Sequence, residues 1–252
     1  MQNINLKFKE KNINLFLRDE VDVSVMREIF KVREYKKIEE IIKNAKYPIL
    51  DVGAHAGFFS LYVRALNPTV KIFAIEPEKE NLKMLKKNLE ANGIEYITNT
   101  PLTPLKRGKD SSTSVGMTTV IEGAIAKNTE KRILEVTPDN QNHFLKETST
   151  TSRSSENDNW VQAYSLSDFC KENNIKKLSL IKMDIEGSEF EILENLKSED
   201  FNLFENIVFE YHDNKDRNHK KLEQILRENK FGVQTFPSKF DKTMGFIFGN
   251  KK

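Results

Sequence analysis

From Tyr47 onward the chain alternates short apolar runs with amphipathic stretches, and this rhythm restricts the fold more than any single residue does. Tyr47-Pro48 breaks the helical pattern before it, since proline has no amide hydrogen and its ring crowds the preceding turn. A strand over 49–52 follows, then a helix over 57–65, a strand over 70–75 and a helix over 78–91 that Asn92-Gly93 ends. The alternation resumes with strand 118–126, helix 166–173, strand 178–183, helix 188–196, strand 207–211 and helix 215–229. Strands separated by helices pair in parallel, and strands that are apolar throughout are covered on both faces. The expected class is therefore α/β: a mostly parallel sheet with helices on both faces. Segments 231–236 and 244–248 are close enough to close the sheet edge as an antiparallel hairpin.

Ahead of this lie INLKF and INLFL around the polar turn KEKN, an N-terminal hairpin by their alternation. Val25, Ile29, Val32, Ile38, Ile41 and Ile42 recur at near-helical spacing across 24–44, as one helix or two. The expected organisation is a hairpin and helical extension over 1–45 appended to a Rossmann-like domain over 46–252. Two stretches rich in Ser, Thr, Asn and Pro, 99–115 and 137–159, read as insertion loops. The first joins a helix to a strand, which puts it at the amino ends of the strands. The second follows strand material on the opposite, ligand-binding side and is the candidate substrate lid.

Forty basic against 38 acidic side chains leave a charge of +2, so no global pull toward nucleic acid or an anionic membrane is expected. The N-terminus lacks an apolar signal core, and no apolar run is long enough to span a bilayer, so the chain reads as cytoplasmic. Cys170 is the single cysteine, which excludes an internal disulfide and a cysteine-based zinc cage. Its setting, SDFCKEN, reads as an ordinary helix position.

The stretch PILDVGAHAGFFSLYV carries the first chemical signal. In an open α/β sheet, ligands bind at the carboxyl ends of strands, against helix N-termini. Asp51, Gly53, Ala54, His55, Gly57 and Phe58 lie at such a strand-to-helix turn, with glycines expected to let a ligand approach closely. A dinucleotide fingerprint wants G-x-G-x-x-G, but His55 and Phe58 occupy its second and third glycine positions, so NAD and FAD are disfavoured. The spacing D-x-G-x-x-x-G is instead similar to the S-adenosylmethionine loop of class I methyltransferases. Glu76 ends the next strand, 23 positions after Gly53, where an acid can accept both ribose hydroxyls. Pro77 beside it and Ala126, at the end of strand 118–126, complete the expected cofactor-binding set together with Asp184.

Several segments, MREIFKVREY, ILDVGAHAGFFSL, AIEPEKENLKMLKKNLEANG, EGAIA, YSLSDFC and above all LSLIKMDIEGSEFEIL, resemble the FkbM-type family of S-adenosylmethionine-dependent methyltransferases. The last looks like that family's I-K-x-D-x-E-G-x-E signature. The resemblance spans roughly 26–231 and implies the class I methyltransferase fold, S-adenosylmethionine as donor and a small-molecule or sugar-like hydroxyl acceptor. It departs at His55, where the family usually carries Asn, and at the 99–115 insertion. The resemblance also implies that Tyr35, in REYKK, covers the cofactor; the alternative is that it only packs.

Methyl transfer from a sulfonium is an in-line displacement, so the protein must position the acceptor and take the proton of a hydroxyl. Lys182, Asp184 and Glu186 follow one another at the end of strand 178–183, with Lys182 and Asp184 on one face. The next strand ends in FEYHD, with Glu210 and His212 on one face. Asp184, Lys182, Glu210 and His212 are the catalytic candidates, as a base with its orienting partner; a metal is not favoured. His143 reads as a loop residue, His219 as part of a solvated basic helix and Trp160 as a packed residue opening a strand. Two rivals stand beside this reading. One is an RNA or protein methyltransferase, although N-P-P-Y, D-P-P-Y and Pro-Cys segments are absent. The other is a binding module that has lost turnover, for which His55 is the main hint.

Overall fold

The computed structural model describes residues 1–99, 116–135, 144–146, 159–185, 187–238 and 241–252. Most of both insertion segments, together with His143 and Glu186, lies outside the described residues. The chain divides into two compact units, Met1–Glu122 and Gly123–Lys252. Its strands are mostly parallel and alternate with helices, the α/β class expected.

In the first unit, β1 (Gln2–Phe8) and β2 (Lys11–Leu17) form the N-terminal antiparallel hairpin. The helical pattern that follows is broken up. Asp19 caps α1 (Glu20–Met26), a π-helical stretch covers Arg27–Val32, Arg33 turns left-handed at φ 61°, and a 3-10 stretch Glu34–Ile38 leads into α2 (Glu39–Lys43). One left-handed residue is what ends the first helical segment, since that conformation cannot continue a right-handed helix. Then come β3 (Ile49–Val52), α3 (Phe58–Leu66), β4 (Ile72–Glu76), α4 (Lys79–Ala91), β5 (Tyr96–Asn99) and β6 (Thr118–Glu122). These four strands are parallel, in the order β3-β4-β6-β5. Strand β5 was not anticipated, because its half-exposed YITN carries no apolar run.

The hairpin does not stand apart from the rest of this unit. Asn88 of α4 and Asn92, which caps that helix one turn later, bond the main chain of β2: Phe16 N donates to Asn88 Oδ1 (2.7 Å) and Asn14 N to Asn92 Oδ1 (2.9 Å). Side-chain amides here satisfy the backbone groups of an exposed strand edge, which would otherwise invite pairing with another chain.

The second unit begins where a single strand over 118–126 was expected. The strand instead ends at Glu122, and β7 (Ala124–Ile125) joins a separate sheet with β8 (Glu130–Glu135), β9 (Phe144–Lys146) and β10 (Trp160–Tyr164), in the order β7-β10-β8-β9. Three residues within the expected 137–159 loop thus form a strand. After α5 (Leu166–Glu172), β11 (Leu180–Met183) and β12 (Asn206–His212) pair in parallel, with α6 (Ser188–Asn195) between them in sequence. Helix α7 (His219–Glu228) precedes β13 (Phe231–Pro237) and β14 (Met244–Lys251), which pair with each other and add antiparallel to β12. The expected C-terminal hairpin is there. Helix α7 starts four residues later than 215: Asn214 Oδ1 takes the amides of Asp216 and Arg217, and Asn218 Oδ1 that of Lys220. Short polar side chains compete for amides in this way and fix a turn where periodicity suggests helix.

Cys170 is buried in α5, and burial pushes its thiol up to about 12, so the structural reading of it holds. Trp160, expected to pack, is 42% exposed. Among the described residues no helix is long and apolar enough to cross a membrane.

Arg132 is the largest fully buried side chain of the second unit. Its guanidinium grips Glu191 of α6 with both terminal nitrogens (3.0 and 2.6 Å) and Glu130 with Nε (2.8 Å), tying β8 to α6. Removing one partner of a buried pair leaves the other charge uncompensated. Arg132→Met should therefore cost about 2 kcal/mol in urea unfolding, less than for a fully buried pair because Glu191 keeps contact with water. Adding Glu191→Leu should recover most of the loss.

Candidate functional site

In the first unit the site grows from the turn between β3 and α3. Three residues there adopt left-handed backbone: Gly53 (φ 70°), His55 (φ 48°) and Gly57 (φ 83°). Glycine takes this conformation without steric cost, and histidine is among the few other residue types enriched in it. The bends fold the turn back on the neighbouring strand, so that Gly53 N and Ala54 N donate to Ile75 O at 3.0 and 3.1 Å. His55 N donates to Glu76 Oε2 at 2.9 Å.

The Glu76 carboxylate thus ends β4 against the main chain of the turn. Its other oxygen accepts from Glu78 N (3.0 Å) and Asn81 Nδ2 (3.2 Å). Glu76 is only 4% exposed. Burial pushes its carboxyl up, against the pull of those three hydrogen bonds. Two carboxylate oxygens offer about four acceptor positions, so Oε2 keeps capacity for one further donor.

Other residues expected at this turn have structural work. Gly57 was expected to open space for a ligand, but the space its missing Cβ leaves is taken by Leu85 of α4, whose Cγ would lie 3.1 Å away. Asp51 is fully buried and accepts a hydrogen bond from Ser60 Oγ of α3 at 2.8 Å. Ala54 and Phe58 are buried, and Pro77 is half-buried beside Glu76. Tyr35 packs edge-on against Phe59, with ring centres 4.8 Å apart, and is 4% exposed, so it belongs to the core.

A layer not foreseen from sequence surrounds the turn. Asn88 Nδ2 donates to Ala56 O at 2.9 Å. Arg18, directly after β2, places Nη2 3.0 Å from His55 Nε2 and donates from Nη1 to Asn81 Oδ1 at 2.7 Å. An arginine can only donate, so in this contact His55 Nε2 is the acceptor, with Asp22 Oδ1 3.6 Å from the same nitrogen.

In the second unit the four catalytic candidates gather at the carboxyl ends of β11 and β12, which run side by side. Lys182 is buried, its Nζ 3.8 Å from Asp184 Oδ2. His212 Nε2 lies 3.7 Å from Glu210 Oε1. Burial holds the His212 imidazole below its ordinary pKa, while the Asp184 charge opposes that shift. Ala126 is buried and its amide donates to Tyr164 O at 2.8 Å. His219 is not on a solvated face: its ring stacks on Tyr211 (4.3 Å) and its Nδ1 lies 2.6 Å from Asp213 Oδ2. Among the described residues no group of three or more His, Cys, Asp or Glu side chains is arranged to hold a metal ion.

Two further residues hold the turn after β11. Glu189, 1% exposed, accepts Ile185 N at 2.8 Å, while Arg217 Nη1 donates to Gly187 O at 3.0 Å. Gly187 is left-handed (φ 94°), and a Cβ there would run into the Arg217 guanidinium. Glu189 stands inside the IEGSE segment, the one sequence signal that pointed to it. Arg217, 30 residues beyond Gly187, gave none.

Burial, with a smaller contribution from the Asp184 charge, pushes the Glu189 carboxyl up to about 7 against the hydrogen bonds that favour its ionised form. The folded protein therefore binds this proton more tightly than the unfolded chain does. The stability it contributes is complete below the unfolded value, near pH 4.5, and is lost as pH rises through the folded one. Unfolding free energy measured in urea should fall between pH 5 and pH 8, and Glu189→Gln, which keeps the acceptor for Ile185 N, should remove on the order of 2 kcal/mol of that fall.

A family model described as Methyltransferase FkbM domain matches residues 51–233. Methyltransferase 1 of Beauveria bassiana (strain ARSEF 2860) is 27% identical over 168 residues, covering 66% of this chain and 65% of that protein. Methyltransferase sdnD of Sordaria araneosa is 27% identical over 179 residues, covering 64% and 65%. The chain thus spans a little under two thirds of the length of these curated relatives. Two solved structures share the fold. The methyltransferase FkbM of Methylobacillus flagellatus KT matches with a TM-score of 0.51 at 16% identity, over 81% of this chain and 43% of that one. A SAM dependent methyltransferase of Agrobacterium tumefaciens matches with 0.56 at 10% identity, over 99% and 70%. With the family model covering well over half of its residues, the chain belongs to the methyltransferase FkbM domain family.

Proposed function

We propose that the protein is an S-adenosylmethionine-dependent methyltransferase that methylates a hydroxyl of a small-molecule or sugar-like acceptor. The observation that carries this reading is the hydrogen bond from the His55 amide to Glu76. It joins a thrice left-handed turn after one strand to an acid at the end of the adjacent parallel strand. This fits a nucleoside whose ribose meets a carboxylate while the rest of the ligand runs along the turn. The missing glycine positions argue against a dinucleotide, whose pyrophosphate needs the closer approach. When bound, the cofactor supplies an electrophilic methyl group on sulfur.

The chain's own part is binding, orientation and proton removal. Residues 53–58 hold the cofactor's methionyl portion, and Glu76 Oε2 accepts from the ribose. In the second unit, His212 takes the proton of the acceptor hydroxyl. Its depressed pKa keeps it neutral, and so able to accept, at ordinary pH. Glu210 orients it, Asp184 stabilises the imidazolium that forms, and Lys182 holds Asp184 in place. The acceptor class rests on the family resemblance and on this base.

Calorimetry should show the purified chain binding S-adenosylhomocysteine, with Glu76→Gln about tenfold weaker, the loss expected for one charge-assisted hydrogen bond. Absence of binding by the unaltered chain would refute the reading. Once an acceptor is in hand, His212→Asn should lower kcat by roughly a hundredfold or more with little change in KM for the cofactor. The rate of the unaltered enzyme should rise on an acid limb centred below pH 6.5, the ordinary histidine value, and be flat above it.

A further inference from the structure

Arg18 lies outside the family's matched region, 51–233, yet its guanidinium is the hub of the side chains around Glu76. Nε donates to Asp22 Oδ2 (2.9 Å), Nη2 to Asp22 Oδ1 (2.8 Å), Nη2 also reaches His55 Nε2 (3.0 Å), and Nη1 donates to Asn81 Oδ1 (2.7 Å). Asp22 is fully buried, and its carboxylate also takes the Arg18 amide at 2.7 Å. Although burial raises the Asp22 carboxyl, the Arg18 hydrogen bonds outweigh it and keep Asp22 ionised. Such a planar fork, clamped along one edge by a carboxylate, has little freedom left.

That rigidity passes to Asn81. An amide side chain can rotate by half a turn and exchange its donor for its acceptor, and shape alone barely resists this. Here Arg18 Nη1 admits only the oxygen, so the amide nitrogen is left facing Glu76 Oε1, 3.2 Å away. Arg18 in the same way admits only the acceptor form of His55 Nε2, and it is the His55 amide that holds Glu76 Oε2. Both routes from Arg18 end on the two oxygens of one carboxylate. A ring of hydrogen bonds closes through Arg18, Asn81, Glu76 and His55.

We propose that Arg18 and Asn81 are positioning residues for the ribose of the cofactor: through them the N-terminal hairpin fixes the direction in which Glu76 presents its remaining acceptor position. The proposal rests on the cofactor reading above. It makes the segment before the sheet part of ribose recognition.

The test uses the full chain and two ligands, S-adenosylhomocysteine and its 2′,3′-dideoxy analogue, which lacks both ribose hydroxyls. Arg18→Met alone would strand a buried carboxylate and endanger folding, so the variants are Asn81→Leu and the pair Arg18→Met with Asp22→Asn, each checked for an unchanged thermal midpoint. The unaltered chain should prefer S-adenosylhomocysteine by tenfold or more. Each variant should lose most of that preference, with about tenfold weaker binding of S-adenosylhomocysteine and less than twofold change for the analogue. Because both act on one carboxylate, combining them should cost about as much as either alone. Equal weakening of both ligands, or a variant that keeps the full preference, would overturn the proposal while leaving the cofactor reading intact. If the unaltered chain bound neither ligand, both would fall together.

Discussion

A single carboxylate, that of Glu76, decides how the sheet end of the first unit is built. It is buried, and burial alone disfavours its charge, so the chain must surround it with donors. Two of those donors are main-chain amides, one from the turn after β3 and one from the start of the segment leading into α4. The turn amide that faces Glu76 belongs to His55, itself left-handed and two residues after the left-handed Gly53. The third donor, Asn81, makes α4 part of the same arrangement. Turn, acid and helix therefore stand or fall as one feature.

Much of this was legible in the sequence because it is local. The alternation of apolar runs and amphipathic stretches gave the strands and helices of the α/β fold, and the glycine spacing with Glu76 marked the turn. What escaped was set by distance or by competition for amides. Arg18 meets Asn81 from 63 positions away and Arg217 meets Gly187 from 30, and no periodicity encodes such pairs. The start of α7 was misplaced because Asn214 and Asn218 take amides that a helix would have used. Gly57 was read for its absent side chain, correctly as a space, but the occupant is Leu85.

His55 shows how a departure from a family pattern can be neutral for the backbone and informative for chemistry. Asn and His both tolerate a left-handed conformation, so the turn keeps its shape with either. The imidazole, however, reaches Arg18 and so connects the turn to the N-terminal hairpin. In the second unit the IKMDIEGSE segment is held by an equivalent logic, with Glu189 gripping one amide of the turn and Arg217 one carbonyl. Both turns place polar groups at strand ends and fix them through main-chain atoms, which side-chain substitutions elsewhere disturb little.

Hydrogen exchange with and without S-adenosylhomocysteine reads the central claim directly, because it reports on the amides that Glu76 and the turn share. Peptides covering 52–58 and 76–81 should exchange measurably more slowly once the ligand is added, with smaller changes across the rest of the first unit. Unchanged exchange in both peptides under saturating ligand, or protection confined to segments away from the turn, would contradict the account.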